Sequence, residues 1–231
     1  MNLLFIDIES SDLPRPGATQ PWIVQVAAEL EYGDGSPSEM MCFRIRADGR
    51  TIRPGAQNVH GISTGMAGRS GINEGLVLSN LCGLAAVADA VVHHGKDFDR
   101  DMVASALTRL PERETAIGAL DWLATIKSCE TGEAMGRVLR AFVNDSRMLE
   151  QAWLRPGLEF VSTMDAATPF CRLPGTHESG GYKWPSLDEA CEQLLEMEPR
   201  AGHHNAWDDV QRCKRLYHWL RDQRAFERAA A

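Results

Sequence analysis

The order of apolar and polar residues along the 231-residue chain predicts several strands before the main helices. Residues 3–8 (LLFIDI) are a short apolar run rich in β-forming residues, which is typical of a buried central strand. Residues 22–32 predict a second strand. The turn sequence at 33–37 (GDGSP), followed by residues 39–47, predicts a third strand that returns beside the second as a hairpin.

The later part of the chain alternates predicted helices with two more short strands. Helices are expected over 74–87, from Asp97 to about Leu110, over 186–197 and over 205–228, and strands over 88–93 and 158–163. Residues 112–152 are rich in Ala, Leu, Arg and Glu and predict two or three further helices. This order predicts an α/β fold that forms one domain over residues 1–231, with a helical insertion over residues 110–156.

The composition is that of a folded protein with an acidic surface. Hydrophobic residues make up 44% of the chain and charged residues 24%, which excludes global disorder. The 24 Lys and Arg residues are outnumbered by 32 Asp and Glu residues, so the formal net charge is −8. This balance argues against a protein that coats duplex nucleic acid with a broad cationic face, but it leaves room for a small nucleic-acid pocket.

The cysteines and the N-terminus indicate a reducing compartment. The six cysteines contain no C-x-x-C pair, and we expect all of them to be buried free thiols: Cys42, Cys82, Cys129, Cys171, Cys191 and Cys213. The first residues contain no basic segment typical of a signal peptide, and the most apolar later stretch, 83–92, is too short to cross a bilayer. We therefore expect a cytoplasmic protein with no membrane association.

Two acidic residues lie at the end of the first predicted strand. Side chains alternate between the two faces of a strand, so Asp7 and Glu9 project to the same face and Ile8 to the other. Two carboxylates placed together at the end of a buried strand repel each other and lose solvation, and a divalent cation would relieve both costs. The alternative is an acidic strand end that runs into a loop.

A second group of polar residues follows the predicted strand at 88–93. The sequence from His93 to Asp99 (HHGKDFD) contains an acidic pair around Phe98 at the expected start of a helix. Either Asp97 or Asp99 could cap this helix. The functional alternative is that one of them adds a carboxylate to a metal site beside the first strand.

The third group precedes the last predicted helix. On a continuous helix His204 and Asp209 would point about 140° apart, so they can meet only if His204 lies in the loop before the helix. Gly202 makes such a loop plausible. The alternative is a polar helix start in which Asp208 or Asp209 faces the positive end of the helix dipole.

Together and in this order, the three groups resemble the motifs of the DEDDh class of the DnaQ-like 3′-to-5′ exonuclease superfamily, which has a ribonuclease H-like fold. The matching positions are Asp7 and Glu9 for the first motif, Asp99 for the second, and His204 and Asp209 for the third. The resemblance covers residues 1–105 and 158–225 and is closest to phage-type and bacterial members. It implies a mixed five-stranded sheet flanked by helices.

The resemblance also implies a metal-dependent reaction. Two Mg²⁺ or Mn²⁺ ions would be held by the four carboxylates of Asp7, Glu9, Asp99 and Asp209, and hard oxygen ligands suit these ions. His204 would take the proton from the attacking water, and an unperturbed imidazole is suited to that task at neutral pH. The substrate would be the 3′ end of single-stranded DNA or RNA, and the product a nucleoside 5′-monophosphate.

The same resemblance implies contacts to the terminal nucleotide. They would come from Ser10, Leu13, His60 and Gly61, with Leu13 as an apolar wedge against the terminal base. The alternatives are that Leu13 packs on the core and that His60 makes a local helix contact. The sequence Tyr182-Lys183-Trp184 places a cation between two aromatic rings, which suits a single strand, although such aromatics are also common in cores. Basic residues of the last helix could follow a phosphate backbone or form a solvated face: Arg212, Lys214, Arg215, Arg221 and Arg224.

Three departures from the family pattern leave questions open. Asp12 stands where many members have Gly, and His94 replaces a common Asn. The insertion over 110–156 has no counterpart with a known role, and a docking surface for a protein partner is one possibility. Two other functions remain: a catalytically inactive nucleic-acid-binding or scaffold protein of the same fold, and a zinc hydrolase built from His93, His94, His203 and His204. The DNA or RNA preference and the oligomeric state stay open.

Overall fold

The computed structural model describes residues 1–15, 19–110, 146–175 and 181–228. One sheet contains five strands: β1 (Leu3–Ser10), β2 (Ile23–Glu31), β3 (Glu39–Arg44), β4 (Ala90–His93) and β5 (Glu159–Ser162). The strand order is β3-β2-β1-β4-β5. β2 runs antiparallel to both β1 and β3, whereas β4 runs parallel to β1 and to β5. The predicted mixed five-stranded sheet is therefore confirmed.

The described helices cover both faces of this sheet. They are α1 (Pro54–His60), α2 (Thr64–Ser70), α3 (Glu74–Val87), α4 (Phe98–Arg109), α5 (Ser146–Trp153), α6 (Thr163–Cys171), α7 (Leu187–Leu195), α8 (Ala206–Asp222) and α9 (Ala225–Arg228). The predicted helix over 74–87 agrees with α3 at both ends. No helix among these described segments is long and apolar enough to cross a membrane.

The alternation of side chains along β1 divides the core into two layers. Leu4, Ile6 and Ile8 are buried with residues of α3, α4 and α5. Leu3 and Phe5 point the other way and are buried with residues of α6, α7 and α8. Asp7 and Glu9 continue the second series, so their carboxylates project toward the α8 side of the sheet.

The end of the chain forms two helices, so the prediction of one helix over 205–228 was wrong. α8 ends at Asp222 and α9 begins at Ala225. Arg224 has a left-handed backbone conformation with φ 56°, which ends the helical path. Helices α1 and α2 were not predicted, because each has only seven residues and α2 contains two glycines. Local caps such as Ser63, which accepts a hydrogen bond from the amide of Met66, replace helix propensity there.

The last part of the predicted insertion belongs to the main core. Trp153 at the end of α5 is fully buried, its ring lies edge-on to Phe160, and its indole nitrogen donates to the carbonyl of Arg100 at 3.1 Å. Leu149 packs into the same core. The rest of the insertion, from 111 to 145, lies outside the described residues, and the division into a single domain with an insertion stays a prediction.

The cysteine prediction is confirmed for four residues and wrong for one. Cys82, Cys171, Cys191 and Cys213 are buried free thiols, whereas Cys42 is exposed. Cys42 lies on β3, which is an edge strand of the sheet, so neighbouring strands cover only one side of it. Cys129 lies outside the described residues.

A cluster of ion pairs fastens α8 to β2. Glu29 of β2 is only 6% exposed, and it accepts hydrogen bonds from Lys214 and Gln211, both at 2.6 Å. Lys214 also lies 2.8 Å from Glu31. Burial alone would raise the pKa of Glu29, but the hydrogen bonds from Lys214 and Gln211 bring that pKa below its usual value. The carboxylate is therefore charged and depends on Lys214.

We predict that Lys214→Met destabilises the fold by about 1–3 kcal/mol at neutral pH, because it leaves the buried Glu29 without its cation. Urea unfolding followed by circular dichroism measures the change. The matched control is Arg215→Met, since Arg215 is the next residue of the same helix and is exposed. Equal stability of the two variants would contradict a stabilising role of the cluster.

Candidate active site

The first two acids of the site come from the end of β1. Asp7 is opposite Ala27 and Glu9 is opposite Gln25 in the pairing with β2, so both acids are held by a regular ladder of hydrogen bonds. The pairing becomes irregular between Glu9 and Ser10, where the chain leaves the sheet. The predicted common face of Asp7 and Glu9 is therefore present, and it is the face that α8 covers.

The third acid comes from the turn after β4. β4 is the parallel neighbour of β1, so the turn that follows it reaches the same end of the sheet as Asp7 and Glu9. Asp99 lies in the first turn of α4 and is buried. Gly95 allows the turn to fold closely over this residue, since a Cβ atom at Gly95 would lie 3.4 Å from the Asp99 Oδ2 atom. The N-cap position of α4 belongs to Asp97, so capping does not explain Asp99.

The fourth acid, Asp209, lies close to His204, because His204 is in the loop before the helix as the sequence analysis required. α8 begins at Ala206 with Asn205 as its N-cap, and His204 lies in the loop before the helix. The His204 Nδ1 atom lies 3.5 Å from the Asp209 Oδ2 atom. The amide of His204 donates to the carbonyl of Val59 at 2.9 Å, which ties this loop to α1.

The four carboxylates are crowded into a poorly solvated space. Glu9, Asp99 and Asp209 are 9%, 5% and 3% exposed, and Asp7 is half-buried. Burial raises the pKa of Asp7 well above its usual range, and the charges of Asp99, Asp209 and Glu9 raise it further. Burial also raises the pKa of Glu9 to about 7, with a further contribution from Asp209.

The pKa of Asp99 is also raised, although two backbone hydrogen bonds partly offset the increase. Burial raises its pKa to about 7, while hydrogen bonds from its own amide and from that of Ile8 act in the opposite direction. His93 stands beside it, with Nδ1 at 3.6 Å from the Asp99 Oδ2 atom, but burial lowers the pKa of His93 to about 4. A neutral His93 cannot neutralise the acid cluster.

These residues fit a divalent cation. Glu9, His204 and Asp209 each offer a ligand atom, and the three atoms lie within 4.8 Å of one another. A cation at this point would offset the repulsion that raises the pKa values of Asp7 and Glu9. Carboxylate oxygens are the ligands that Mg²⁺ and Mn²⁺ prefer, and one imidazole is compatible with them.

The four histidines considered for a zinc site do not converge. His93 is buried beside Asp99, and His203 Nδ1 donates to the carbonyl of Asn58 at 3.0 Å. The ring of His94 contacts the Thr163 hydroxyl at 3.0 Å and donates to the carbonyl of Pro185 at 3.1 Å. Among the described histidines, His204 alone belongs to the cluster of possible ligands. His94 thus joins the end of β4 to α6 and to the loop before α7.

The loop after β1 presents its apolar residue to solvent. Leu13 is 70% exposed, so the alternative that it packs on the core was wrong. The Ser10 hydroxyl donates to the carbonyl of Asp12 at 2.7 Å. The Asp12 carboxylate pairs with Arg53 at 2.8 Å and with Arg15 at 3.3 Å, so the departure from Gly is stabilised by two cations. The roles of Leu13 and Ser10 toward a nucleotide stay predictions.

His60 lies behind the site, and both nitrogens of its ring form hydrogen bonds with backbone groups. The ring is buried, its Nδ1 accepts from the amide of Ile62 at 3.1 Å, and its Nε2 donates to the carbonyl of Ser10 at 3.3 Å. It therefore joins the end of α1 to the end of β1. A direct role of His60 in nucleotide binding stays a prediction.

Gly61 allows α1 to approach the loop that carries His204. Its φ of 72° is in the left-handed region, and a Cβ atom there would lie 2.9 Å from the ring of His203. The last carbonyls of α1 bind this loop, since Asn58 accepts from His203 and Val59 accepts from the amide of His204. Gly61 thus positions the loop that contains His203 and His204 (the histidine loop), a role that sequence reasoning did not foresee.

The aromatic residues before α7 are exposed, and so they are not part of the core. Tyr182 is 45% and Trp184 is 37% exposed. The Lys96 ammonium lies 3.9 Å from the centre of the Trp184 ring, which places this ring beside the turn that delivers Asp99. Of the basic residues of α8, Lys214 forms an ion pair with Glu29 and Arg212 forms one with Asp188. These two residues therefore stabilise the packing of α8.

Sequence reasoning missed Arg200, which contacts the fourth acid directly. Its guanidinium pairs with both oxygens of Asp209 and also with Asp188 in the first turn of α7. Arg200 precedes His204 by four residues in an irregular loop, and neither motif spacing nor periodicity distinguishes it from a surface arginine. Only the folded arrangement of α7 and α8 reveals the contact.

The sheet order, the helices on both faces and the acids at the end of β1 define a ribonuclease H-like fold. No family model and no curated protein matches the chain. Among solved structures, E. coli Exonuclease I in complex with a dA16 oligonucleotide is similar over 98% of this chain and 42% of its own, with a TM-score of 0.62 and 16% identity.

Two further structures give the same result. A zinc-bound form of the E. coli ExoI–ssDNA complex has a TM-score of 0.61 and 16% identity, and it covers 98% of this chain and 42% of its own. A product-bound exonuclease I has a TM-score of 0.62 and 16% identity, and it covers 98% and 45%. At this identity the likeness shows the fold, and the chain spans less than half the length of the proteins it matches.

We predict that Gly61→Ala costs more stability than Gly49→Ala. Both glycines have a positive φ, 72° and 81°, but a Cβ atom at Gly49 would meet no atom within 4 Å. The control therefore carries the backbone cost alone, about 1 kcal/mol, whereas Gly61→Ala must also displace His203. Urea unfolding of both variants measures the difference. Equal costs would show that the contact between α1 and the histidine loop is loose.

We also predict that the metal-free protein loses stability as the pH rises from about 5 to 8. The folded pKa values of Glu9 and Asp99 lie near 7, above their unfolded values. Between those limits the folded state holds protons that the unfolded state releases, so rising pH favours unfolding. Urea unfolding in EDTA at both pH values tests this, and Glu9→Gln should reduce the loss by on the order of 1–3 kcal/mol. An identical pH dependence in the variant would contradict the assignment.

Proposed function

We propose that this chain is a metal-dependent 3′-to-5′ exonuclease that releases nucleoside 5′-monophosphates from single-stranded DNA or RNA. The observation that carries the proposal is the meeting of four carboxylates and one histidine at the end of β1. The chain has a fold similar to that of Exonuclease I, and every one of these positions was expected from the motif resemblance. The 3′-to-5′ direction rests on that resemblance.

The four carboxylates would hold the cations that the reaction needs. Asp7, Glu9, Asp99 and Asp209 are the ligands implied by the motifs, and His204 stands next to Asp209. Two Mg²⁺ or Mn²⁺ ions bound there would supply an activated water and would stabilise the leaving oxygen of an in-line displacement. The similar ExoI–ssDNA complex has been solved in a zinc-bound form, which supports the proposal that this chain uses a divalent cation.

His204 is the residue suited to accept the proton of the attacking water. Its side chain is half-exposed, so water can reach it, and its backbone is held by Val59. A proton taken up by the ring produces an imidazolium whose Nδ1 faces the Asp209 carboxylate at 3.5 Å. That contact orients the ring of His204.

A single strand suits the charge of this surface. Several described cations near the site are engaged by acids, as in the pairs between Arg53 and Asp12 and between Arg212 and Asp188, whereas Lys96 lies over the Trp184 ring. Binding of a strand end therefore has to rest on local contacts such as Leu13, and Exonuclease I has been solved with single-stranded oligonucleotides. A catalytically inactive binding or scaffold protein is the alternative, but it has no use for four crowded acids whose repulsion opposes folding.

An oligonucleotide labelled at its 5′ end separates these possibilities. We predict a ladder of shortened labelled products with Mg²⁺ or Mn²⁺ and an intact strand in EDTA. A 5′-to-3′ enzyme would release the label as a mononucleotide, and an inactive protein would leave the strand whole. Matched DNA and RNA strands in the same assay determine the preferred sugar.

We predict that Asp209→Asn and Asp7→Asn each lower the rate by more than about 100-fold, because each removes a direct ligand. The matched control is Asp208→Asn, since Asp208 is the exposed neighbour of Asp209 and carries the same charge. Activity retained in Asp209→Asn, or lost equally in Asp208→Asn, would overturn the assignment of the third motif.

A further inference from the structure

Arg200 joins the acid cluster to α7. Its Nη1 atom lies 3.1 Å from the Asp209 Oδ2 atom, and its Nη2 atom donates to the Asp209 Oδ1 atom. On its other side, Nε and Nη2 lie 3.3 Å and 3.1 Å from the Asp188 Oδ1 atom. The side chain is only 10% exposed, so both pairs are shielded from water. One guanidinium is therefore shared between an acid of the site and an acid outside it.

The contact with Asp209 opposes the binding of a cation. Asp209 is one of the three residues whose ligand atoms lie within 4.8 Å of one another, and Arg200 contacts both of its carboxylate oxygens. A fork-like guanidinium satisfies a carboxylate in its own plane, where a metal would also bind. The positive charge of Arg200 would in addition repel a divalent cation bound to Asp209.

The contact with Asp188 provides a second position for the same guanidinium. Asp188 belongs to the first turn of α7 and is partly exposed, so it can hold Arg200 without help from Asp209. A side chain bound to two acids can release one of them without becoming an isolated buried charge, which would be costly.

We infer that Arg200 is the internal counter-ion of the cation-free site, and that it releases Asp209 and remains on Asp188 when a divalent cation binds. This inference rests on the proposed function in one respect, namely that a divalent cation binds at Asp209. It makes Arg200 a positioning residue that sets the affinity for the cation.

Arg212 provides a matched control. It also pairs with Asp188, at 3.4 Å, and its Nη2 atom donates to the carbonyl of Glu198 at 3.3 Å. Like Arg200 it is largely buried. The described contacts of Arg212 do not include Asp209, so replacing it removes a similar cation from Asp188 without freeing the acid of the site.

Calorimetric titration with Mn²⁺ in the absence of nucleic acid tests the inference on the full chain. We expect Arg200→Gln to bind Mn²⁺ about tenfold more tightly than the wild type, since the competitor of the cation is gone. The same variant should unfold at a lower temperature in EDTA and gain more from added Mn²⁺. Arg212→Gln should leave the affinity for Mn²⁺ unchanged. Arg200→Lys, which keeps the charge but loses the fork, should fall between Arg200→Gln and the wild type.

A double-mutant cycle tests the second position. Asp188→Asn should weaken Mn²⁺ binding, because Arg200 then has no other partner and stays on Asp209. In the Arg200→Gln background the same change should have no effect on the affinity. Circular dichroism establishes that each variant is folded.

The outcomes separate this inference from the proposed function. If Mn²⁺ binds the wild type and is lost in Asp209→Asn, but Arg200→Gln binds equally or more weakly, the counter-ion role is overturned and the metal site stands. If Mn²⁺ binds none of these proteins, both proposals are overturned.

Discussion

The mutual repulsion of four carboxylates at the end of β1 is the constraint on which the rest of the site depends. Burial and like charges raise the pKa values of Asp7, Glu9 and Asp99, so the arrangement opposes folding whenever these acids are ionised and no cation is bound. It persists because separate parts of the fold hold each acid. β1 is paired on both sides, α4 follows β4 after a short turn, and α8 is fastened to β2 by Glu29 and Lys214.

The same constraint explains why residues outside the motifs are tied so firmly to the site. His60 joins the end of α1 to the backbone of Ser10, and the last carbonyls of α1 hold the loop of His203 and His204. These contacts use backbone groups, so they fix positions without adding charge to a region that is already too negative. Arg200 is the exception, since it brings a cation to Asp209 and leaves a partner for that cation at Asp188.

Sequence patterns predicted the parts of this molecule that depend on local periodicity. The alternation along β1 placed Asp7 and Glu9 on one face, and the helical angle between His204 and Asp209 required the loop that the structure contains. The short helices α1 and α2, the break at Arg224 and the exposure of Cys42 were missed, because each depends on tertiary packing or on edge position. Arg200 was missed for the same reason: its importance arises only when α7 and α8 bring Asp188 and Asp209 to either side of it.

The acidic composition therefore constrains how the proposed enzyme would bind a strand and does not exclude nucleic acid. Four of the 32 acids belong to the site, where divalent cations would offset their charge, and the remaining formal excess is −4. Several of the other acids are paired with neighbouring cations, as Glu29 and Glu31 are with Lys214 and Asp12 is with Arg53. Cations used in such pairs are not free to contact phosphates along a duplex, which needs many of them at once. For the proposed exonuclease, a surface of this kind favours holding one strand end through stacking, apolar contact and the cations that the site would bind.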